Sequence, residues 1–388
     1  MTARDDRIEQ LRREIDAAAP ADAQARAASG EAALIDVREP EEIGQGSPAG
    51  ALRLGRGYLE LRIESEVPDL ERPLYVLCGG GTRSLFAADS LRRMGYRQVF
   101  NVAGGFDRWK SEGLPYEVPR VLDAAERARY ARQISLPEVG EAGQARLAGA
   151  RVLLVGAGGL GSPAALYLAA AGVGTLGIVD HDDVDRSNLQ RQILHTDARV
   201  GMAKTESARA TIAALNPTTR IETWRTRLRS DNIDEILAGH DLVVDGSDNF
   251  PTRYLVNDAC VKLGLPNVHG AVFRFDGQAA VFWPAGPGSG PCYRCLYPEP
   301  PPPEQAPSCA EAGVMGVLPG LVGTIQALEA LKILLGQGDT LAGRLLCIDG
   351  LRGEFRELRV RRDPHCAVCA AETFPGYIDY EHFCQAAG

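Results

Sequence analysis

No surplus of positive charge runs through this chain: 42 Lys and Arg stand against 51 Asp and Glu, a net charge of −9. That balance excludes the generally basic surface that nonspecific nucleic-acid or anionic-membrane binding requires, though it leaves room for a local basic pocket. The start, MTARDDRIEQLRREIDAAAP, is charged throughout and has no apolar h-region, so no secretory signal is read and a cytoplasmic setting is expected. Internal repeats and long low-complexity tracts are also missing. One stretch, between Arg151 and Asp180, lacks any charged residue and could span a bilayer by length. Seven glycines and Pro163 break it into strand-like, turn and helix-like pieces, which favours a buried α/β unit and no membrane.

Glycine and cysteine, by contrast, are plentiful. The 43 glycines exceed one residue in ten, above the usual share of about 7%. The nine cysteines are an odd number, and in a reducing compartment clustered cysteines point to metal or catalysis more than to disulfides. A length of 388 residues, at roughly 150 per domain, implies two or three domains. The first, residues 20–117, alternates buried-strand patterns (AALIDV, LYVLC, QVFNVAGG) with an amphipathic helix, SLFAADSLRRMGY, as a parallel sheet requires. A polar helix over residues 1–20 precedes it with no evident purpose. After a short linker at 116–124, a second domain, residues 125–380, opens with the charged helix ERARYARQISL. Its expected strands are RVLLVGA, TLGIVD, RIETWRTR, DLVVDGS, PNVHGAVF and GQAAVFW, and LVGTIQALEALKILLG is a late buried helix.

Three constellations carry chemistry. In the first, LYVLC ends at Cys78, and Gly79-Gly80-Gly81-Thr82-Arg83-Ser84 leads into a helix. Glycines let backbone N–H groups turn inward as an anion nest, with a helix N-terminus behind them. Such a loop, aided by Arg83, favours a thiolate and can hold an anionic persulfide; the plain alternative is a buried structural cysteine.

In the second, RVLLV leads into Gly156-Ala157-Gly158-Gly159-Leu160-Gly161, and Asp180 closes the next strand. G-x-G-x-x-G between strand and helix, with an acid for the ribose, is the dinucleotide fingerprint and fits NAD or ATP alike. Asn188, Arg191, Gln192 and Lys204 follow closely. Converging cations suit an enzyme that splits ATP, where they stabilise charge on the transferred group and the departing pyrophosphate. Asp248, within Ser247-Asp248-Asn249, could hold Mg²⁺. The alternatives are a surface salt bridge for Arg191 and a helix N-cap role for Asp248.

In the third, Cys292-x-x-Cys295 and Cys366-x-x-Cys369 supply four thiolates for a closed, structural Zn²⁺ site that clasps the chain's end to the core. Cys309 follows the proline loop EPPPPEQAP, unpaired, where an acceptor thiol would belong.

Two resemblances follow from these residues. LIDVREPEE, CGGGTRS and MGYRQVFNVAGGFDRWKSEGLP, in that order, resemble a rhodanese (sulfurtransferase) domain, which implies that Cys78 carries a persulfide. Asp36 and Arg38 match that family's Asp-Val-Arg motif as structural residues. Where the family has Gly-His-Ile-Pro-Gly-Ala, this chain has Gly46-Ser47-Pro48-Ala49-Gly50-Ala51. Further on, RYARQISL, GAGGLG, VDHDDVDRSNLQRQ, GMAKTESA, DGSDNFPTRYLVNDAC and PCYRCLYPEPPP resemble the ubiquitin-activating-like adenylyltransferases that charge sulfur carriers, closest to the molybdopterin-synthase adenylyltransferases.

That resemblance implies ATP contacts at Gly159, Asp180, Ser187, Asn188, Arg191, Lys204, Asp248 and Asn249. It also implies a homodimer in which Arg132 reaches the partner's ATP, and a thioester or disulfide at Cys309 in relatives that couple activation to rhodanese transfer. The expected fold is α/β: a small parallel-sheet rhodanese domain, then a larger Rossmann-like domain with a zinc clasp. The expected function is ATP-dependent adenylation of the C-terminal glycine of a ubiquitin-like sulfur carrier ending in Gly-Gly, then sulfur transfer from the Cys78 persulfide, itself supplied by a donor such as a cysteine desulfurase. An NAD-dependent oxidoreductase with an accessory rhodanese is the alternative, and a noncatalytic scaffold a third.

Overall fold

A computed structural model describes residues 2–118, 120–302 and 313–385. Contacts divide the chain into two units, Met1–Asp123 and Ala124–Gly388. The strands of the first unit are β1 (Ala17–Ala18), β2 (Ala33–Asp36), β3 (Ser47–Pro48), β4 (Leu52–Arg53), β5 (Leu74–Leu77), β6 (Val99–Val102) and β7 (Tyr116–Glu117). Five of them form an all-parallel sheet in the order β1-β6-β5-β2-β4, while β3 and β7 pair antiparallel beside it. β2 and β5 are buried at every residue, as central strands covered on both faces must be.

The helix Ala3–Glu14, polar and without evident purpose in the sequence, turns out to be part of this core. Thr2 and Asp5 cap it reciprocally, and its buried Ile8 and Leu11 join Ile15 in one cluster with Leu85, Ala88 and Leu91 of the helix Arg83–Arg93. The charges around it hide a narrow apolar stripe at i, i+3 and i+7.

Eight strands build the second unit: β8 (Arg151–Val155), β9 (Thr175–Val179), β10 (Arg220–Trp224), β11 (Leu242–Asp245), β12 (Asn267–Phe273), β13 (Asp276–Phe282), β14 (Arg344–Asp349) and β15 (Glu354–Arg359). They form one sheet, ordered β10-β9-β8-β11-β12-β13-β14-β15. The first five are parallel, and the last three continue antiparallel. The chain therefore winds outward from β8 in both directions, and the loops after β8 and β11 part at a topological switch point, where such sheets bind ligands.

The charge-free stretch at 151–180 separates into β8, the helix Gly161–Ala170 and β9, all within this sheet layer. The antiparallel half extends the Rossmann-like expectation. β14 and β15 escape the sequence reading: EFRELR is exposed at every residue and shows no buried run, and RLLCID is only partly buried. The late helix spans Val317–Leu335, and by length and mean hydropathy (1.4) it alone among the described helices could cross a membrane. It packs on β12, β13 and the helix Gly161–Ala170. Buried Gln326 inserts from it to donate to Asp245 O at 2.7 Å and Val268 O at 2.9 Å.

Leu11→Ala is expected to destabilise the first unit by about 3 kcal/mol, the range for a leucine deleted from a packed core. Urea unfolding of the full chain checks this, and a change below about 0.5 kcal/mol would show that the helix merely rests on the surface.

Candidate functional site

Cys78 follows β5 directly and starts the loop into the helix Arg83–Arg93. Its Sγ is buried and lies 3.4 Å from both the Ser84 backbone N–H, which donates to it, and Ser84 Oγ. Donors from outside occupy the loop's carbonyls: Phe106 N–H binds Cys78 O at 2.8 Å, Asp107 N–H binds Gly79 O at 3.1 Å, and Asn101 Nδ2 binds Gly81 O at 3.2 Å. Gly105 permits the first two bonds, because at φ +57° a Cβ there would collide with both carbonyls. Among the described residues the N–H groups of Gly79, Gly80 and Gly81 have no acceptor, which leaves an open anion cradle at a helix N-terminus.

Arg83, expected to serve the thiol, is bonded first to Glu42, with Nη1 to Oε2 at 2.6 Å. Those bonds raise the Arg83 pKa, burial opposes them, and the charge of Cys78 contributes less than Glu42. The Asp-Val-Arg motif is structural, as its buried contacts show. Arg38 binds Asp36 at 2.6 Å and Gly46 O at 2.7 Å, and Ser47, which stands in place of a histidine, donates its Oγ to Asp36 at 2.8 Å.

In the second unit the turns after β8, β9 and β11 open into one cavity of about 950 Å³. Gly158, Gly159, Asp180, Arg191, Lys204, Asp248 and Asn249 stand on its wall. Gly161 lets the loop close, since a Cβ there would collide with Gly156 O. The N–H groups of Gly158 and Gly159 have no acceptor among the described residues. Asp180 accepts from Ala157 N–H at 2.8 Å and Asp182 N–H at 2.9 Å, which fixes the loop against the end of β9. Lys204, buried, pairs with Asp182 at 2.8 Å. Burial works against the Asp182 charge, yet the Lys204 hydrogen bond and charge hold that carboxyl below its ordinary value.

Arg191 donates to Ser187 O at 3.2 Å and has no carboxylate partner among the described residues, so the salt-bridge alternative falls away. The N-cap of the helix Phe250–Leu263 is Asn249, whose Oδ1 accepts from Thr252 N–H at 3.0 Å; Asp248 is left free of that duty.

Among the described residues, three expected ones, Ser187, Asn188 and Arg132, are not on this wall. Ser187 and Asn188 form a tight turn with Asp185, the Ser187 hydroxyl donating to it at 2.5 Å and Asn188 Oδ1 accepting from its N–H at 3.3 Å. Arg132 is exposed on the helix Ala124–Ile134. Cys309 lies outside the described residues.

Residues that sequence reading passed over stand behind the wall. Asp245, fully buried at the end of β11, accepts from Ser247 N–H (3.0 Å), Ser247 Oγ (2.6 Å) and His269 Nδ1 (3.0 Å), and so shapes the turn carrying Asp248. Burial opposes the Asp245 charge but His269 and Ser247 hold it ionised, while burial keeps His269 neutral against the pull of Asp245. Arg253, on the wall, donates to Ser247 O at 3.2 Å. Its place four residues after Asn249, on the first turn of a helix, was a signal that could have found it.

The two Cys-x-x-Cys pairs, 74 residues apart, meet. Cys292, Cys295, Cys366 and Cys369 have all four Sγ atoms within 4.8 Å of one another, with separations of 3.9, 3.6 and 3.4 Å across three of the pairs. A tetrahedron with Zn–S bonds of about 2.3 Å has edges of about 3.8 Å, so the spacing fits. Asp363 N–H donates to Cys295 Sγ at 3.4 Å, and bonds from its sulfur neighbours hold the Cys295 thiol below its ordinary value. Two redox pairs would not share one buried cluster. The cluster is anchored by half-buried Arg294, which binds both Asp258 oxygens at 2.9 Å, and by Tyr380, whose hydroxyl donates to Asp258 at 2.8 Å.

Two family models match the chain: the ThiF family over residues 130–368 and the rhodanese-like domain over residues 19–112. The chain is 58% identical over 259 residues to the sulfur carrier protein adenylyltransferase of Thermus thermophilus, which covers 66% of this chain and 96% of that protein. It is 52% identical over 259 residues to the adenylyltransferase and sulfurtransferase MOCS3 of Drosophila yakuba, across 66% of this chain and 56% of that protein. Among solved structures, E. coli MccB with ATP matches at TM-score 0.54 and 20% identity, over 63% of this chain and 75% of that one, a likeness of fold.

Burial lowers the pKa of His195, His240 and His269 below the ordinary 6.5. The unfolded chain therefore binds these protons first as pH falls, and the second unit loses stability below about pH 6.5, by at most about 1.4 kcal/mol per pH unit for each histidine. Urea midpoints measured between pH 7.5 and 5 should fall with pH; a flat profile would contradict the buried neutral histidines.

Proposed function

Because this chain belongs to the ThiF family and also carries a rhodanese-like domain, we propose that it is a bifunctional adenylyltransferase and sulfurtransferase acting on a ubiquitin-like sulfur carrier that ends in Gly-Gly. The observation that carries this reading is the 950 Å³ cavity, where an open glycine loop, Asp180, Arg191, Lys204 and Asp248 share one wall. Its size suits a nucleotide. Gly158 and Gly159 N–H groups, Arg191 and Lys204 would hold phosphate oxygens, and Asp180 would accept from ribose hydroxyls with the lone pairs its backbone bonds leave open. Asp248 and Asn249 would face Mg²⁺ and the phosphates, and Ser187 and Asn188 would join them when the nucleotide is bound. Magnesium would neutralise phosphate charge.

The carrier's terminal carboxylate would attack the α-phosphorus, releasing pyrophosphate and leaving an acyl-adenylate. Adenylate is the leaving group a free carboxylate lacks. The terminal sulfur of a Cys78 persulfide would then attack the activated carbonyl, expelling AMP and leaving an acyl disulfide on Cys78. A second thiolate, for which Cys309 is the candidate, would attack Cys78 Sγ. The thiocarboxylate would leave with the electron pair, and the new disulfide would need an external thiol to reduce it. The persulfide would come from a donor such as a cysteine desulfurase, in the cytoplasm.

Arg132, exposed and off the cavity wall, supports a homodimer in which it would complete the partner's phosphate site. Zinc held by Cys292, Cys295, Cys366 and Cys369 would tie the chain's end to the sheet.

Carrier-dependent exchange of pyrophosphate into ATP tests the adenylation; no exchange with carriers ending in Gly-Gly would overturn it. Cys78→Ala is expected to abolish thiocarboxylate formation while exchange continues within about twofold, so loss of both would assign Cys78 a structural role. Purified protein should hold about one zinc per chain, and its removal by a strong chelator should lower the thermal midpoint by several degrees. Metal content near zero in folded protein would exclude the clasp.

A further inference from the structure

His195 stands behind the glycine loop rather than on the cavity wall, 6% exposed. Its Nε2 is 2.9 Å from Ala157 O and its Nδ1 is 2.9 Å from Ser207 Oγ. A carbonyl only accepts, so Nε2 carries the hydrogen, and Nδ1 accepts from the Ser207 hydroxyl. Ser207 belongs to the helix Lys204–Leu215, whose first residue is the buried lysine of the wall. The imidazole thus joins the glycine loop to the element that carries Lys204.

The Ala157–Gly158 peptide is trans, like every peptide bond among the described residues, and a trans peptide points its C=O and N–H in opposite directions. His195 draws the carbonyl inward. The Gly158 N–H on the other side of that plane is therefore turned toward the cavity that Gly158 lines, and it has no acceptor among the described residues. Asp180 holds the Ala157 N–H at 2.8 Å, so the loop is gripped on both sides of this residue. Without the imidazole, the peptide could rotate and offer a carbonyl oxygen, which repels a phosphate, where the cavity now meets a donor.

We propose that His195 is a positioning residue for the nucleotide phosphates, acting through the Ala157–Gly158 peptide and resting on the ATP reading above. It touches no substrate. Burial, which disfavours the imidazolium, agrees with a ring that serves as a fixed neutral donor.

The test uses the full chain and two probes, ATP and adenosine, titrated calorimetrically against wild type, His195→Phe, His195→Gln and His195→Asn. Phe fills the space without donating. Gln can place its amide nitrogen near the Nε2 position, and Asn places one near Nδ1. His195→Phe is expected to weaken ATP binding about tenfold while adenosine binding changes less than about twofold, because only the phosphates meet Gly158 N–H. Gln should recover most of the loss and Asn should not.

Equal weakening of ATP and adenosine would assign His195 a merely structural role and overturn the proposal. If His195→Phe fails to fold, the Gln and Asn proteins decide: equal ATP affinities overturn the proposal, and tighter binding by Gln supports it. A wild-type chain that binds ATP, with a His195→Phe chain that binds it as well, defeats this inference alone. A wild type that binds no ATP defeats the nucleotide reading and this inference with it.

Discussion

A backbone N–H with no acceptor is costly to bury and attractive to an anion, and both units of this chain are organised around loops that keep such groups open. The glycine run after Cys78 and the glycine run after β8 solve the same problem. In each, the carbonyls that would otherwise compete are tied down by donors from elsewhere. Phe106, Asp107 and Asn101 hold the first loop, and Ser162 N–H and His195 hold the second. In each, a glycine is placed where a Cβ would collide with a carbonyl, Gly105 in one and Gly161 in the other. In the function proposed above the cradles would differ in what they hold: a sulfur anion already attached to the protein in one, a free anion entering a cavity in the other.

Fixed charges complete the cradles with different balances. At the second loop, Arg191 and Lys204 share the wall with Asp180, Asp182 and Asp248, so both signs of charge face the space. Lys204 is held by Asp182 in a pair that is only partly exposed, which keeps the ammonium in place at modest energetic gain. At the first loop, Arg83 is already engaged by Glu42, and the thiol's immediate partners are Ser84 and the backbone. The helix N-terminus and the loop amides add positive potential there beside the Arg83 guanidinium.

Ion pairs shielded from solvent do a different task, fixing the geometry of the segments around these loops. Arg38–Asp36 closes the segment around Gly46 and Ser47, and Arg294–Asp258 sets the helix Phe250–Leu263 against the cysteine cluster. Such pairs add little net stability against an apolar replacement, but losing one partner leaves a charge stranded, which costs about 3–5 kcal/mol. Their value here is positional. Asp245 works the same way with a neutral His269, and the turn it shapes carries Asp248 to the cavity.

The sequence alone was enough for the motifs that carry the chemistry, because they depend on local spacing. Strand and helix periods, G-x-G-x-x-G at Gly156–Gly161, the Cys78 loop and the two Cys-x-x-Cys pairs are short-range patterns, and each lies where its pattern implied. What it could not carry was pairing across distance. The stripe Ile8, Leu11, Ile15 has meaning only against the helix Arg83–Arg93, and β15, exposed at every residue, is a strand only because β14 lies beside it. Likewise, nothing near His195 in the chain announces that its ring meets Ala157, 38 residues earlier. Which partner Arg83 takes and which outside donors tie down the carbonyls of each glycine loop are tertiary decisions, because a hydrogen bond is chosen by what the folded chain brings within about 3 Å.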